Sequence, residues 1–289
     1  MALRNLPILI GAMAMLSSPV VHADTSVWKV SKNNHHLYLG GTVHLLSKAD
    51  YPLPTAFANA YQLAHRLVLE TNLQKLKNPE FQSVMLSQLT YTDGRTLKDI
   101  LSNETYTKLA QYCASRKISI ANIHKFKAGM AASILLFIEL DRLGIAEDGV
   151  DQFFNLKAIE DQKPLGQLES VEEQISFIAA MGQGQEDEMI DYTLRDIKDL
   201  PQVMQSIKQN WRAGDMKGLE KTAIEPFITE FPATFDALLT VRNANWLPKI
   251  EALMVTAEVE FILVGALHLA GEQGLLTLLR QRGYTLEQQ

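Results

Sequence analysis

The sequence predicts an α/β protein whose mixed or mainly parallel sheet is flanked by helices and carries a helical insertion. Short apolar runs of strand length stand near the two ends of the chain, and helical patterns fill the middle. LYLGG (37–41) and RLVLET (66–71) enclose a helical stretch that begins at Pro54 and Thr55, which is the order of a βαβ unit. No stretch rich in Gly, Pro or Ser divides the chain, so we expect residues 24–289 to form a single domain.

The middle of the chain is predicted to be helical. Apolar residues at three- and four-residue spacing indicate helices from about 72 to 143. Within them, the apolar run AGMAASILLFIEL (128–140) is too short to span a membrane and predicts a core helix. GVDQFF (149–154) begins the next helix, and a short strand then ends at Glu169.

The last third of the chain returns from helix to strand. Helical patterns run from 172 to about 246 and are interrupted at Pro201, Pro226 and Pro232. The final strand, EFILVGA, is followed by the helix GEQGLLTLLRQRG. These two segments complete the predicted sheet and its helical cover.

The first 23 residues have the pattern of a secretory signal peptide. Arg4 precedes an apolar run from Leu6 to Leu16, and SSPVVHA ends in small residues at Val21 and Ala23. We expect cleavage after Ala23 and a periplasmic or secreted bacterial protein without a stable membrane span. The alternative is an uncleaved membrane anchor, because the apolar segment could almost span a bilayer.

Composition limits the class of protein. The chain has 289 residues, 47% of them hydrophobic and 21% charged, and a net charge of -6. This is a globular composition without the basic surface that nucleic acid requires. The single cysteine, Cys113, cannot form an internal disulfide, and we expect it to be a buried helix residue and not a nucleophile.

Two copies of a Gly-x-x-His motif follow predicted strands. LYLGGTVHLL contains Gly41 and His44, and FILVGALHLAGEQGLL contains Gly265 and His268. Ligand-binding residues of open α/β sheets gather beyond the carboxyl ends of the strands, so both histidines are candidates for one site. Glycine at these positions allows the backbone to leave the strand sharply or to approach another segment closely.

Three carboxylates could join the two histidines. Glu70 and Glu169 end strands, and Asp151 stands at the start of a helix after Gly149. Each has a structural alternative: the histidines could form ordinary hydrogen bonds, the glutamates could be surface groups, and Asp151 could cap its helix. If the set is functional, we expect its replacement to affect turnover more than stability, because polar loop residues contribute little to the apolar core.

The motifs together resemble the TraB/GumN family, to which the metazoan Tiki proteases are related. The segments that carry the resemblance are YLGGTVHLL, LVLETN, GVDQFF, LGQLES, RNANW and FILVGALHLAGEQGLLTLLRQRGY. The resemblance implies an erythromycin-esterase/ChaN-like α/β fold and, for the Tiki branch, a metal-dependent peptidase with a preference for Mn or Co. It also assigns the site residues His44, Glu70, Arg242, Asn243 and His268.

These residue types suit metal-assisted hydrolysis of a peptide or protein substrate. Imidazole and carboxylate groups bind Mn, Co or Zn, and a bound divalent ion lowers the pKa of its water from 15.7 towards about 7. We expect His44 and His268 to be metal ligands, Glu70 to be a ligand or general base, and Arg242 to stabilise the oxyanion. Arg242 could instead simply pair with a carboxylate, and Trp246 is expected to be a packing residue.

Two other functions remain open at the level of the sequence. ChaN-like folds are associated with haem, so the chain could be a haem- or metal-binding protein. Family members are also associated with pheromone shutdown and exopolysaccharide production, which allows a non-catalytic regulator that sequesters a peptide. The chain has no His-Glu-x-x-His, Gly-x-Ser-x-Gly or phosphate-loop motif that would indicate a different chemistry.

Overall fold

A computed structural model describes residues 25–289, so the predicted signal peptide lies outside the described residues. Eight strands occur in this part of the chain: β1 (Val27–Lys32), β2 (His35–Thr42), β3 (Leu45–Leu46), β4 (Arg66–Leu69), β5 (Glu147–Asp148), β6 (Leu165–Gln167), β7 (Glu260–Gly265) and β8 (Thr285–Gln288).

Six of these strands form one mixed sheet in the order β6-β4-β7-β2-β1-β8. The neighbours β6 and β4, β4 and β7, and β7 and β2 are parallel, whereas β1 pairs antiparallel with both β2 and β8. β3 and β5 form a separate two-stranded ribbon. The predicted α/β class with a mixed, mainly parallel sheet is confirmed.

The central strands are buried on both faces. In β7, the residues from Glu260 to Val264 are all buried, which matches the continuous apolar run expected of a parallel strand covered by helices. β1 and β8 were not predicted as strands. β8 has the sequence TLEQ, too short and polar to give a clear strand pattern, and it forms only because β1 offers an edge to pair with.

The helices are α1 (Thr55–Leu63), α2 (Pro79–Leu89), α3 (Leu97–Ile100), α4 (Asn103–Ser115), α5 (Ala128–Arg142), α6 (Val150–Glu160), α7 (Val171–Ala180), α8 (Glu186–Asp196), α9 (Leu200–Ala213), α10 (Met216–Leu219), α11 (Glu225–Glu230), α12 (Pro232–Phe235), α13 (Val241–Leu253) and α14 (Leu275–Gln281). Pro201, Pro226 and Pro232 lie in the first turns of α9, α11 and α12, where the missing N–H of proline costs no helical hydrogen bond. The prolines therefore mark helix starts.

Apolar clusters cover the two faces of the sheet. Phe57, Phe154, Trp211 and Phe261 belong to one cluster, and Trp246, Ile262, Leu275 and Leu279 belong to another. Trp211 also ties α9 to the sheet, because its Nε1–H donates to the carbonyl of Gly41 at 2.7 Å. Helices on both faces thus hold the strand ends in fixed positions.

The helical region between β4 and β7 has apolar clusters of its own. One of them includes Leu109, Cys113, Leu135 and Phe231. Cys113 is buried in α4 as a free thiol, as expected, and burial raises its pKa, which makes it a poor nucleophile. The run 128–140 lies in α5, and among residues 25–289 there is no helix long and apolar enough to cross a membrane.

Candidate functional site

The carboxyl ends of three adjacent strands bring both histidines and Glu70 to one crevice. His44 follows β2, Glu70 follows β4, and His268 lies in a short 3₁₀ helix, Ala266–His268, directly after β7. A Cβ atom placed on Gly265 would lie 3.3 Å from Oε1 of Glu70, and 3.6 Å from both Nε2 of His44 and Cδ2 of His268. The three side chains therefore surround a small space that exists because residue 265 has no side chain.

The two glycines of the motifs act in different ways. A Cβ on Gly41 would lie 3.1 Å from the Cα of Ala266, so glycine is needed there for the close approach of β2 to the segment that carries His268. Gly265 has ordinary backbone angles, φ -51° and ψ 135°, and could accept a side chain without backbone strain. Its role is to keep the space beside Glu70 open.

Arg242, near the start of α13, is the buried cation of the site. Its Nη2 donates to Oε2 of Glu70 and to Oε1 of Glu169, both at 2.7 Å. Its Nε donates to both oxygens of Glu169 at 3.1 Å, and its Nη1 donates to the carbonyl of Leu238 and to Nε2 of His268, also at 3.1 Å. A guanidinium has five N–H groups, and these contacts use all of them.

Glu169 lies beneath the guanidinium and is buried. Its Oε2 also accepts a hydrogen bond from Nε1 of Trp246 at 3.0 Å. Burial raises the pKa of Glu169, and the nearby charge of Glu70 adds to this effect, while the contact with Arg242 opposes it. The pairing of Arg242 with carboxylates is thus present, and Trp246 combines packing with a hydrogen bond.

Glu70 has one oxygen turned to Arg242 and the other to the space at Gly265. Oε2 accepts from Arg242 and from Nε2 of Gln174 at 3.2 Å, whereas Oε1 accepts from the backbone N–H of Gly265 at 2.6 Å. Burial opposes ionisation, but the charge of Arg242 and the hydrogen bond from Gly265 outweigh burial, and the pKa of Glu70 is lowered. Because His268 is itself neutral, the guanidinium at 2.7 Å is the charge that keeps Glu70 ionised.

His268 is held in one tautomer by Asn243. Nδ2 of Asn243 donates to the carbonyls of His268 and Gln273, so its Oδ1 faces Nδ1 of His268, at 2.7 Å, as an acceptor. The proton must then be on Nδ1, which leaves the lone pair on Nε2. Burial lowers the pKa of His268 to about 3, so the ring is neutral. The ring packs against Trp246, with the ring centroids 4.4 Å apart and the planes tilted by 39°.

His44 differs from His268 because its side chain is 60% exposed. Its Nδ1 contacts Oδ2 of Asp151 at 3.2 Å, so Asp151 pairs with the histidine and does not cap α6. The charge of Asp151 raises the pKa of His44, and water that reaches the ring limits this shift. With Nδ1 directed to the carboxylate, Nε2 of His44 is the atom that faces the space at Gly265.

The structure brings all seven predicted site residues to one crevice, where five form a hydrogen-bonded network around Arg242 and the pair of His44 and Asp151 faces the same space at Gly265. They are His44, Glu70, Asp151, Glu169, Arg242, Asn243 and His268. The sequence did not indicate Gln174, because nothing in the pattern of α7 marks one of its polar residues as facing Glu70. It also did not indicate the buried hydroxyl groups of Thr42 and Thr71, which have no hydrogen-bond partner in the described part of the chain.

The hydrogen bonds of Arg242 and Asn243 inside the site favour a positioning role for both residues over a direct contact with the substrate. With every N–H of Arg242 donated inside the site, no donor is left to bind an oxyanion directly. Asn243 likewise uses both amide hydrogens and its oxygen on His268 and Gln273. In this arrangement both residues fix the positions of Glu70 and His268.

The residues of the crevice match the chemistry of a divalent cation, although no three His, Cys, Asp or Glu side chains of residues 25–289 already form a metal-site arrangement. The space at Gly265 is bordered by a carboxylate oxygen and by histidines whose second nitrogens are bound to Asp151 and Asn243, the pattern that orients metal-binding imidazoles. The site also contains three carboxylates, Glu70, Asp151 and Glu169, and only one guanidinium, that of Arg242. This excess of carboxylates suits a bound cation. Nε2 of His268 accepts from Arg242, so metal binding by His268 requires Arg242 to release this contact.

The fold and the site define an α/β protein with a histidine, carboxylate and arginine centre at the carboxyl edge of its parallel strands. The chain belongs to the TraB/PrgY/gumN family, which matches residues 26–288, so the resemblance inferred from the motifs is confirmed. The chain is similar to YbaP of Escherichia coli strain K12 and to YbaP of Shigella flexneri, each 26% identical over 249 residues, which are 86% of this chain and 89% of the relative. No solved structure matches the chain at a significant level.

Proposed function

We propose that the chain is an exported metal-dependent hydrolase that acts on a peptide or protein substrate. The observation that carries the proposal is the space at Gly265, which Oε1 of Glu70, Nε2 of His44 and the ring of His268 border together. These atoms come from three strand ends that are far apart in the sequence. Packing alone does not require two imidazoles and an ionised carboxylate to face one small space.

His44, His268 and Glu70 would hold the ion, with Mn, Co or Zn as candidates. When bound, a divalent ion supplies a water of lowered pKa and polarises a carbonyl. The lowered pKa of Glu70 favours the ligand role over the role of general base, because a carboxylate this acidic is a weak proton acceptor at neutral pH.

The other residues of the network position the ligands. Arg242 holds Glu70 ionised and fixes the distance between Glu70 and Glu169. Asn243 keeps the lone pair of His268 on Nε2, and Asp151 keeps Nε2 of His44 directed to the crevice. We therefore assign Arg242, Asn243 and Asp151 as positioning residues, with Glu169 as the buried partner of Arg242.

The size of the neighbouring cavity argues against haem. The cavity that adjoins His268 has a volume of 210 Å³. Pockets that enclose small molecules and cofactors usually have about 300 to 1,000 Å³. A regulator that sequesters a peptide without turnover would use the same crevice, and an assay for product fragments separates it from a hydrolase.

Export is part of the proposal and is supported by the signal-like sequence of residues 1–23. In the periplasm or outside the cell, the substrate would be a peptide or an exposed protein segment. The net charge of -6 gives no support for a nucleic-acid partner.

The test uses the purified chain from Asp24 onward. Bound metal is measured first, and a peptide library is then incubated with the protein after addition of Mn, Co or Zn or of a chelator. We expect product fragments that depend on metal and that disappear in His44→Ala and in Glu70→Gln. Glu225→Gln, an exposed change outside the hydrogen-bonded network of the site, is the control. No bound metal and no fragments under any of these conditions would contradict the proposal.

A further inference from the structure

We propose that the cavity beside His268 is a subsite for a substrate side chain with an apolar stem and a positively charged end, as in lysine or arginine. This inference rests on the proposed function, since it names the substrate residue that the hydrolase would prefer. The cavity, called here the α10–α13 pocket, is lined by Glu220, Ile224, Ile228, Phe235, Leu239, Asn243, Leu267, Ala270, Gly271, Glu272 and Gln273.

The α10–α13 pocket lies next to the candidate metal centre, and Asn243 stands between the pocket and the ring of His268. Asn243 lines the pocket and its Oδ1 contacts Nδ1 of His268. Leu267 also lines the pocket and immediately precedes His268 in the 3₁₀ helix. A substrate whose scissile bond lies at the histidines could therefore place a neighbouring side chain in this pocket.

The walls of the pocket are apolar and are built partly from unusual backbone. Two π-helical segments, Glu220–Ile224 and Asp236–Thr240, contribute the walls on the side away from His268. Such segments are rare and occur often at functional sites, because they redirect side chains out of the regular helical positions. Here they turn Ile224 and Leu239 towards the same cavity.

The charge of the pocket comes from two carboxylates. Oε1 of Glu220 lies against Gly271, 3.2 Å from the position that a Cβ on Gly271 would take. Glu272 lies at the exposed rim. In the described part of the chain the carboxylate of Glu220 has no hydrogen bond or ion pair, and no Lys or Arg lines the pocket.

The only cations nearby face a different cavity. Lys217 and Arg280 line an open surface cavity that shares Glu220, Gly271 and Glu272 with the α10–α13 pocket, but neither forms an ion pair with Glu220 among residues 25–289. Glu220 is half-buried, and a carboxylate without a partner at the edge of an apolar cavity favours a cationic end on an aliphatic stem, because the stem packs on the apolar walls while the charged end forms a charge-assisted hydrogen bond. The volume of 210 Å³ suits one side chain and excludes a larger ligand.

The first experiment measures selectivity with the metal-loaded protein. Pairs of peptides that differ only in Lys or Met at one position are compared by kcat/KM in the parent, in Glu220→Gln and in the control Glu225→Gln. We expect the ratio of Lys to Met peptides to fall about tenfold or more in Glu220→Gln, the worth of one charge-assisted hydrogen bond, and to be unchanged in Glu225→Gln. An unchanged ratio in Glu220→Gln would overturn the subsite.

The second experiment does not depend on hydrolysis. Binding of n-pentylamine and of n-pentanol to the metal-free protein is followed by NMR. We expect the amine to shift resonances of Leu239 and Leu267 more strongly than the alcohol, and Glu220→Gln to remove the difference. Preferential amine binding without any peptide turnover would support the proposed subsite and contradict the proposed hydrolase function. Peptide turnover without amine binding or a preference for Lys would contradict the proposed subsite alone.

Discussion

Oδ1 of Asn243 lies 2.7 Å from Nδ1 of His268, and Nδ2 of the same amide donates to two carbonyl groups. This amide can therefore only accept at His268. The buried ring is forced to carry its proton on Nδ1, and its Nε2 is available either to Arg242 or to an ion. Asn243 thus decides which nitrogen of His268 faces the site.

The first prediction concerns the protonation of His268. Because burial lowers the pKa of His268 to about 3, the ring should remain neutral and protonated on Nδ1 throughout the pH range of about 5 to 8, in which an unperturbed histidine titrates. Nitrogen-detected NMR of the metal-free protein measures this, with His268→Gln used to assign the signal. A neutral ring protonated on Nε2 would show that Asn243 does not control the tautomer, and a ring that gains charge above pH 5 would contradict the lowered pKa.

The second prediction concerns Gly265→Ala. The added Cβ would contact Oε1 of Glu70 at 3.3 Å and both histidines at 3.6 Å, and the backbone angles suit alanine. We expect a folded protein whose stability changes by less than about 1 kcal/mol but which loses most of its metal binding and turnover, because the space between the ligands is filled. Thermal unfolding and metal titration check the two parts.

Gly166→Ala is the matched control for Gly265→Ala. It adds a methyl group to β6 against Val68, away from the histidines, and should leave metal binding unchanged. Normal metal binding by Gly265→Ala would mean that the ion does not use this space.

The third prediction concerns Arg242→Lys. The guanidinium contacts Glu70, Glu169, His268 and the carbonyl of Leu238, whereas an ammonium has three donors and cannot reach all of them. We expect a loss of about 1 to 3 kcal/mol of unfolding free energy, because the ammonium keeps the positive charge but leaves some of the buried acceptors without a donor. Urea unfolding of the parent and of Arg242→Lys measures this difference in unfolding free energy. Arg195→Lys, which alters an exposed pair with Asp196 and Glu230, should cost less than about 1 kcal/mol, and equal effects of the two changes would contradict the buried network.

The sequence predicted the fold class and the convergence of the candidate site residues because both depend on strong local signals. Continuous apolar runs identified β2, β4 and β7, and residues at the carboxyl ends of parallel strands must converge, so His44, Glu70 and His268 could be placed together. β8 was missed because TLEQ is short and polar, whereas β1, which pairs with both β2 and β8, contains the strand-type residues Val27, Trp28 and Val30 and was overlooked.

The parts of the site that the sequence could not predict depend on three-dimensional packing. Gln174 contacts Glu70 only because α7 packs across the strand ends. Glu70 and His268 are buried, so we expect changes that leave Arg242 or Asn243 without a partner to lower stability as well as turnover, more than changes of polar loop residues would. For this reason Glu70→Gln is a better probe of function than Glu70→Ala.

The last prediction concerns a buried carboxyl at the opposite end of the sheet. Glu260, the first residue of β7, is 1% exposed, and its Oε1 accepts from Thr256 at 3.2 Å while its Oε2 has no partner in the described part of the chain. Its neighbour in β4, Arg66, also has a buried Nε without a partner. Burial raises the pKa of Glu260, with repulsion from Glu258 adding to the shift.

A raised pKa in the folded state means that ionisation of Glu260 costs stability. The cost is absent at a pH below the pKa of glutamate in the unfolded state, about 4.3. It grows as the pH rises from that value through the pKa of Glu260 in the folded state, and it is complete above the folded-state pKa. We therefore expect Glu260→Gln to raise the unfolding free energy at pH 7 and to leave it nearly unchanged near pH 4. Urea unfolding at the two pH values, with Glu225→Gln as the control for net charge, measures this difference. A Glu260→Gln variant that is destabilised at pH 7 would mean that Glu260 is ionised and stabilised by Arg66 at neutral pH.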